Sequence, residues 1–223
     1  MIAKRTSRRT PIAPATLRQA VASFRLGLSV AVAAVLLGCA VAQVEVTHQA
    51  GFTGSLGSPT IIGVVENRGA STVQFVGIVG NIYDEGAFLD TASTYATVPT
   101  LAPGERSPFQ ITFLSEPASW DAFDTQVQAE PGGERHRLRV IAHRVRESLL
   151  GVEIVGQVVN EGPAAEFAQV AVAAYDEAGE LVAVGSTYAQ PDAIPSGGRA
   201  SFVVALLETL GDVARVEFVT AAD

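Results

Sequence analysis

The feature that most constrains this chain is an internal repeat with a spacing of 93 residues. Residues 62–69 return as residues 155–162, and both segments follow the pattern G-x-V-x-N-x-G. Residues 93–96, Ser-Thr-Tyr-Ala, recur unchanged at 186–189. Matches in the same order along two stretches of chain indicate a tandem duplication, so we expect two units with one fold.

Each copy consists of short apolar runs separated by turn residues. Runs rich in Val, Ile, Phe and Thr alternate with Asn, Asp, Gly and Pro, which is typical of strands and turns. No sustained 3.6-residue period is present, so no helix is predicted. The pattern predicts an all-β fold of two tandem immunoglobulin-like antiparallel β-sandwich domains. In the first copy the expected strands are residues 44–47, 61–67, 73–83, 88–98, 109–114 and 125–129.

Composition marks the boundaries of the copies. Residues 130–134, Glu-Pro-Gly-Gly-Glu, have the composition of a short linker. We therefore predict a first domain at residues 43–130, a linker at 131–134 and a second domain at 135–223. Residues 1–42 form a separate N-terminal segment.

That N-terminal segment has the layout of an export signal. The first 38 residues carry six Lys and Arg and no acid, and the apolar run at 26–42 is short for a membrane span. Residues 36–39, Leu-Leu-Gly-Cys, resemble a lipobox, in which Cys39 carries the lipid. Residues 40–42 are also a small-x-small site that would release a chain beginning at Gln43, and an uncleaved anchor is the third possibility. We favour lipid attachment, because the one Cys of the chain lies where lipidation requires it.

The composition after this segment excludes several function classes. It has nine Arg, no Lys and all 23 acidic residues, so we expect no binding to nucleic acid through phosphate contacts. With one Cys and three His in the chain, no metal site and no cofactor are expected. No catalytic residues are assigned, since no nucleophile motif such as G-x-S-x-G is present. His48 and His143, each in the first strand of its copy, are expected at a surface or strand edge.

Taken together, the motifs are similar to the FxLYD domain of bacterial and archaeal envelope proteins. The resemblance rests on the G-x-V-x-N-x-G opening, on an apolar strand ending in Tyr-Asp before an acidic Gly turn, and on Pro-Gly or Ser-Gly before a Phe strand. It covers nearly all of each copy. Where that family has Phe-x-Leu-Tyr-Asp, this chain has Gly-Asn-Ile-Tyr-Asp at 80–84 and Val-Ala-Ala-Tyr-Asp at 172–176. The resemblance implies small β-sandwiches in cell-surface proteins, often lipoproteins, without established catalytic residues.

The repeated polar residues are interpreted as structural. Asn tolerates a left-handed backbone and bonds its local backbone, so Asn67 and Asn160 are expected to hold turns. Each Tyr-Asp pair is expected to combine a Tyr that closes the sandwich edge with an Asp that holds the following turn. These pairs are Tyr83 with Asp84, and Tyr175 with Asp176.

A basic segment at the start of the second copy and a single Trp are the candidate binding residues. Arginines at alternate positions of a strand share one face, where they could bind lipid phosphates or an acidic cell-wall polymer. The alternative is a solvated edge strand, in which charge prevents pairing with another sheet. Trp120 either anchors a partner or closes the core of its own unit. The segment contains Arg135, Arg137, Arg139, Arg144 and Arg146.

These inferences combine into an exported, lipid-anchored, non-catalytic binding or scaffolding protein of the cell envelope. The expected partners are the membrane, through the N-terminal lipid or anchor, and other envelope proteins or a cell-wall polymer. The alternative is a secreted structural or assembly module that signal peptidase releases between Ala42 and Gln43.

Overall fold

The structure is a computed structural model that describes residues 43–135, 138–149 and 151–222. Within those ranges every regular element is a strand, and all sheet pairings are antiparallel, which confirms the predicted all-β class. The strands are β1 (Val44–Thr53), β2 (Pro59–Asn67), β3 (Val73–Asp84), β4 (Ala87–Tyr95), β5 (Arg106–Thr112), β6 (Ala122–Pro131), β7 (Leu138–Ser148), β8 (Gly151–Asn160), β9 (Ala165–Glu166), β10 (Gln169–Tyr175), β11 (Leu181–Tyr188), β12 (Ala193–Ile194), β13 (Arg199–Leu206) and β14 (Arg215–Ala221).

Strands β1–β6 form unit 1, in which two three-stranded sheets pack face to face. The strand order is β1-β2-β5 in one sheet and β4-β3-β6 in the other. Successive side chains of a strand point to opposite faces, so each sheet contributes one apolar face to a shared core. Ile61, Val65, Ile78 and Phe109 are fully buried there.

Strands β7–β14 form unit 2 on the same plan. Its three-stranded sheets have the orders β13-β8-β7 and β11-β10-β14, and the short strands β9 and β12 pair with each other. Ile154, Val158, Val170 and Phe202 are buried in its core. Apart from β9 and β12, the strands correspond one to one with β1–β6, so the repeat in sequence is also a repeat in topology.

The two units pack sheet against sheet, which gives the chain four layers. We call the β1-β2-β5 sheet and the β11-β10-β14 sheet, which contact each other, the inner sheets, and the remaining two the outer sheets. Phe52, Ile62 and Val64 of unit 1 pack with Ala173 and Tyr175 of unit 2. The central strands β2 and β10 are therefore buried on both faces, and both are almost continuous runs of buried residues.

Corresponding ends of the two units lie on the same side of the molecule. β1 begins opposite Asn67 at the end of β2, and β7 begins opposite Asn160 at the end of β8. We call these the asparagine ends. Strand β6 continues to Pro131, so the predicted linker starts inside a strand. Arg135, just beyond it, donates to Glu105 of unit 1 and to the carbonyl of Thr220 of unit 2.

Candidate functional site

The glycine of the repeated motif lies under an aromatic ring in both units. Gly63 is paired across strands with Phe109, and Gly156 with Phe202. A Cβ built on Gly63 would lie 2.3 Å from Cζ of Phe109, and one built on Gly156 would lie 2.4 Å from Cζ of Phe202. Since real Cβ contacts are far longer, only glycine fits at this position of the motif.

Asn67 is buried and its side chain joins two loops. Its Nδ2 donates to the carbonyl of Ser71 and to that of Leu101, both at 2.9 Å. Its Oδ1 accepts the backbone N–H of Gly69 at 3.0 Å. Every polar atom of the amide is bonded to backbone, which supports the turn role predicted for it.

Asn160 makes the same bonds in unit 2. Its Nδ2 donates to the carbonyl of Pro163 and, at 2.9 Å, to that of Ile194. Its Oδ1 accepts the N–H of Gly162 at 2.9 Å. Asn67 thus fastens the turn after β2 to the loop before β5, and Asn160 fastens the turn after β8 to β12, which precedes β13.

The two repeated tyrosines each donate to a carboxylate at a corresponding position. The hydroxyl of Tyr83 lies 2.6 Å from Oδ2 of Asp124, and that of Tyr175 lies 3.1 Å from Oε2 of Glu217. Both tyrosines lie on the central strand of a sheet and do not close a sandwich edge as expected. Tyr83 is half-exposed on an outer sheet, whereas Tyr175 is fully buried between the inner sheets.

The Asp of each Tyr-Asp pair precedes a turn, but only one of them bonds that turn. Oδ1 of Asp176 accepts the backbone N–H groups two and four residues further on, both at 2.9 Å. Asp84 instead accepts the hydroxyl of Ser119 at 2.7 Å. Its hairpin needs less help, because residues 85 and 86 both have positive φ, as in a type I′ turn.

A cluster of charged and polar side chains joins the inner sheets. Nη1 of Arg106, on β5, donates to both carboxylate oxygens of Glu217, on β14, at 2.9 and 3.2 Å. Nη2 of Arg106 donates to Nδ1 of His48 at 2.8 Å. The ring of Tyr175 lies 5.3 Å from that of His48, and the guanidinium carbon of Arg215 lies 4.2 Å from the Tyr175 ring centre. Polar bonds thus add to the apolar contacts that hold unit 1 to unit 2.

The surroundings determine the protonation states of this cluster. Burial lowers the pKa of His48, and the charge of Arg106 lowers it further. Since Arg106 can only donate, Nδ1 of His48 must accept, which requires the neutral imidazole. Burial raises the pKa of Glu217, but the hydrogen bond from Arg215 and the charge of Arg106 outweigh it, so that pKa is below its usual value. Burial raises the pKa of Tyr175 to about 12, so its hydroxyl stays protonated.

A cleft of about 500 Å³ opens beside the cluster, between the units. Arg106 and Arg135 line it, together with Phe218. Arg106 is paired with Glu217, and Arg135 with Glu105 at 2.8 Å. An anionic ligand would have to displace one of these ion pairs, so the arrangement is better suited to joining the units than to binding a charged substrate.

Acidification is expected to weaken the junction through His48. A group whose pKa is lowered in the folded state binds fewer protons there, so the free energy of unfolding falls as the pH drops below about 6.5. His48→Gln keeps an acceptor oxygen and removes the titration. The loss of unfolding free energy between about pH 8 and about pH 5.5, measured in urea, should therefore be smaller in the variant. An equal loss in both proteins would contradict this role of His48.

The two histidines do not correspond in the fold. In the strand registers, His48 corresponds to Ala142, and His143 to Gln49. A shift of one residue along a strand reverses the face. His143 is exposed and packs 4.9 Å from the ring of Phe218, as expected for a surface residue. His48 also lies on an edge strand, as expected, but unit 2 partly covers it.

The five arginines of the basic segment do not form a single row in the described residues. Arg137 lies outside the described ranges, as does Cys39, and Arg135 precedes β7. Arg144 is exposed on β7. The ion pairs of the other three are Arg135 with Glu105, Arg139 with Glu161 and Arg146 with Glu153.

The strand register identifies the face on which the β7 arginines lie. In unit 1, Ala50 and Phe52 of β1 pack against unit 2. The same register positions of β7 hold Arg144 and Arg146. The basic residues therefore lie on the outer sheet of unit 2, on the face that corresponds to the covered face of unit 1. β7 is also an edge strand, as one of the two sequence interpretations requires.

Trp120 closes the core of unit 1. Its side chain is 8% exposed, and its Nε1 donates to Oγ1 of Thr53 at 3.0 Å. Its ring centre lies 6.4 Å from that of Phe123, and a Cβ on Gly51 would lie 2.8 Å from Cη2 of the indole. Of the two sequence interpretations, this burial supports core packing over partner anchoring.

The sequence interpretation missed the residues of the interunit cluster, although the repeat contained a signal for them. Arg106 and Arg199 lie at equivalent register positions, opposite Glu66 and Val159. The carboxylates that accept from the repeated tyrosines are likewise separated by 93 residues. A basic and an acidic residue at fixed positions of both copies indicate that each unit has complementary surfaces. The burial of Tyr175 and the exposure of Tyr83 show that the acidic surface is covered in unit 2 and free in unit 1.

We compared the sequence with protein-family models and with curated proteins. The sequence matches no protein-family model, and no curated protein is similar to it at a significant level. In the part of the chain that the structure describes, no helix is long and apolar enough to cross a membrane. In the same residues, no three His, Cys, Asp or Glu side chains are grouped as metal ligands.

Proposed function

We propose that this chain is an exported, lipid-anchored, non-catalytic scaffolding or binding protein of the cell envelope. The observation that carries the proposal is the buried junction between the inner sheets, where Phe52, Ile62 and Val64 pack with unit 2. Such packing makes the tandem a single stiff body instead of two modules on a flexible connection. A stiff body that offers separate surfaces at its two outer sheets suits scaffolding.

The position of β1 supports attachment near a membrane. Val44, the first residue of β1, lies five positions after Cys39. Five fully extended residues span at most about 18 Å, so a lipid on Cys39 would keep the asparagine ends close to the bilayer. The backbone of Gln43 is already fastened there, because its carbonyl accepts the N–H of Arg68 at 2.8 Å.

The two-sheet packing and the repeated motif support the finer classification that the sequence suggests. Within the proposal, each unit is an immunoglobulin-like sandwich of the FxLYD type. The residues Gly63, Val65 and Asn67 have packing and turn roles in unit 1, and their counterparts repeat those roles in unit 2. Partners in this proposal are other envelope proteins or a cell-wall polymer, bound through strand edges and loops.

The alternative is a secreted module that begins at Gln43. The small-x-small site at 40–42 favours it, and cleavage there leaves β1 whole. The secreted module would have the same stiff pair of units, but it would not be attached to a membrane.

Mass spectrometry of the mature N-terminal peptide separates the two. From native membranes we expect an acylated peptide that begins at Cys39, and Cys39→Ser should move the protein out of the detergent phase. Ala42→Gln, which spoils the small-x-small site, is the matched control and should change nothing. An unmodified peptide that begins at Gln43, together with loss of the released form in Ala42→Gln, would overturn the lipid anchor in favour of the secreted module.

A further inference from the structure

One face of the outer sheet of unit 1 is open to solvent, whereas the corresponding face of unit 2 is covered by unit 1. The side chains of β10 that face unit 1 are Ala171, Ala173 and Tyr175. Ninety-two positions earlier, the corresponding residues of β3 are Val79, Asn81 and Tyr83. All three of these are half-exposed, because no further sheet of the described residues lies over them.

Exposed aromatic side chains lie on this free face, next to polar residues such as Gln126 and Gln128. Phe88 of β4 is 58% exposed, whereas Leu181, its counterpart on β11, is 4% exposed under unit 1. Tyr95 and Phe75 are also exposed. Large apolar side chains grouped on one sheet face mark an interaction site more often than scattered ones.

The same strained backbone occurs beside this face in both units. Phe75 and Phe167 have φ of 51° and 50°, a region that L-residues adopt at a cost. In unit 2, Phe167 and Tyr188 line a cleft against Thr100 of unit 1. In unit 1, the corresponding residues Phe75 and Tyr95 are 56% and 64% exposed.

The free face also contains a binding position for an arginine. In unit 2, the Tyr175–Glu217 pair receives Arg106. In unit 1, Asp124 accepts from Tyr83 at 2.6 Å and from Nδ2 of Asn81 at 2.8 Å. The carboxylate is thus fixed at the position that corresponds to Glu217 of unit 2, and it is half-exposed.

The outer sheet of unit 2 offers the matching arginine. Arg199 occupies on β13 the register position that Arg106 occupies on β5. It is exposed, and no carboxylate of the described residues pairs with it. Val203 of the same strand is exposed as well.

Charge favours contact between these two outer sheets. The strands of the unit 1 outer sheet contain four acidic residues and no Lys or Arg, while those of the unit 2 outer sheet contain four Arg and two Glu. The acidic residues are Asp84, Asp90, Asp124 and Glu130, and the arginines are Arg139, Arg144, Arg146 and Arg199. Opposite charge speeds encounter and fixes which faces meet.

We propose that a second copy of this chain docks on the outer sheet of unit 1 through its unit 2 outer sheet, with Arg199 of one chain bound to Asp124 and Tyr83 of the next. The contact repeats the junction between the inner sheets. Because the two faces are different and lie at opposite ends of the four-layer stack, the association is head-to-tail and continues from chain to chain. It does not depend on how the N-terminus is processed.

Charge reversal on either face tests this proposal in the full chain, in non-ionic detergent, by sedimentation velocity over a concentration series. Wild type should gain mass as its concentration rises. Asp124→Arg and Arg199→Asp should each weaken association by about tenfold or more, since each leaves an unpaired charge in the contact. Asp212→Arg makes the same charge change on an exposed loop and should associate like wild type. Thermal unfolding of each variant verifies that it is folded.

The decisive sample is the equimolar mixture of the two reversal variants. Each variant keeps one intact face, so the mixture should regain association that neither variant has alone. Association through the N-terminal segment would be the same in all samples. Three results would each overturn the proposal: a wild type that stays monomeric, folded variants that associate like wild type, or a mixture that stays monomeric. Loss in Asp124→Arg alone would indicate a symmetric dimer through the outer sheet of unit 1. It would also overturn the proposal, because the head-to-tail contact needs both faces and Arg199→Asp would then associate like wild type.

Discussion

Gly63→Ala and Gly156→Ala are each expected to lower the free energy of unfolding by about 3 kcal/mol or more, because overpacking in a core forces backbone shifts. The added Cβ of the second variant would lie 2.4 Å from Phe202 and 2.6 Å from the carbonyl oxygen of Ala142. A ring can rotate, but a carbonyl on the neighbouring strand cannot move without breaking the sheet. Urea unfolding, followed by circular dichroism, measures the loss.

A third glycine provides the matched control. A Cβ on Gly77 would meet its nearest atoms at 3.7 Å, which is ordinary contact. Gly77→Ala should therefore change the unfolding free energy by less than about 1 kcal/mol. The double variant Gly63→Ala/Phe109→Leu should recover part of the loss of Gly63→Ala, since it removes the ring 2.3 Å from the new Cβ. If Gly63→Ala and Gly77→Ala are equally stable, the packing explanation of the motif is wrong.

Replacing either buried asparagine by alanine is expected to lower the free energy of unfolding by an amount similar to that of the glycine variants. Asn67→Ala and Asn160→Ala each remove three side-chain hydrogen bonds to the backbone, each worth about 0.5–1.5 kcal/mol. We expect a total loss of about 2–4 kcal/mol in unfolding free energy, measured in urea.

The isosteric Asn67→Asp variant distinguishes the hydrogen bonds from the shape of the side chain. It places a carboxylate oxygen against the carbonyls of Ser71 and Leu101, where Nδ2 now donates. The loss should be largest at neutral pH and smaller in acid, where a protonated carboxyl can donate one bond. A variant as stable as wild type at neutral pH would mean that these bonds contribute little.

The all-β class and the unit repeat could be predicted from sequence because they depend on local features. Alternating apolar residues and turn residues at Asn67-Arg68-Gly69 and Asp176 act within a few positions. The motif asparagines were likewise assigned to turns from their local chemistry alone. Strand β2, predicted at 61–67, is found at Pro59–Asn67.

The pairing of the units could not be predicted from the same pattern. β1 was expected to end at residue 47 but continues to Thr53, because Ala50 and Phe52 pack against unit 2. Nothing within the strand itself indicates that partner. The burial of Tyr175 and the exposure of Tyr83 likewise depend on which sheet lies next to them, which is a tertiary property that two identical Tyr-Asp pairs do not reveal.

Because strand β2 is buried on both faces, unit 1 alone cannot shield all of its apolar side chains from water. Until unit 2 has folded against it, Ile62 and Val64 lie on a sheet face that water reaches. One copy of the repeat is therefore the segment that was duplicated, but one copy alone leaves an apolar sheet face in contact with water. A chain that is synthesised or translocated from its N-terminus completes unit 1 first. The inner sheet of that unit stays exposed to water until unit 2 has folded against it.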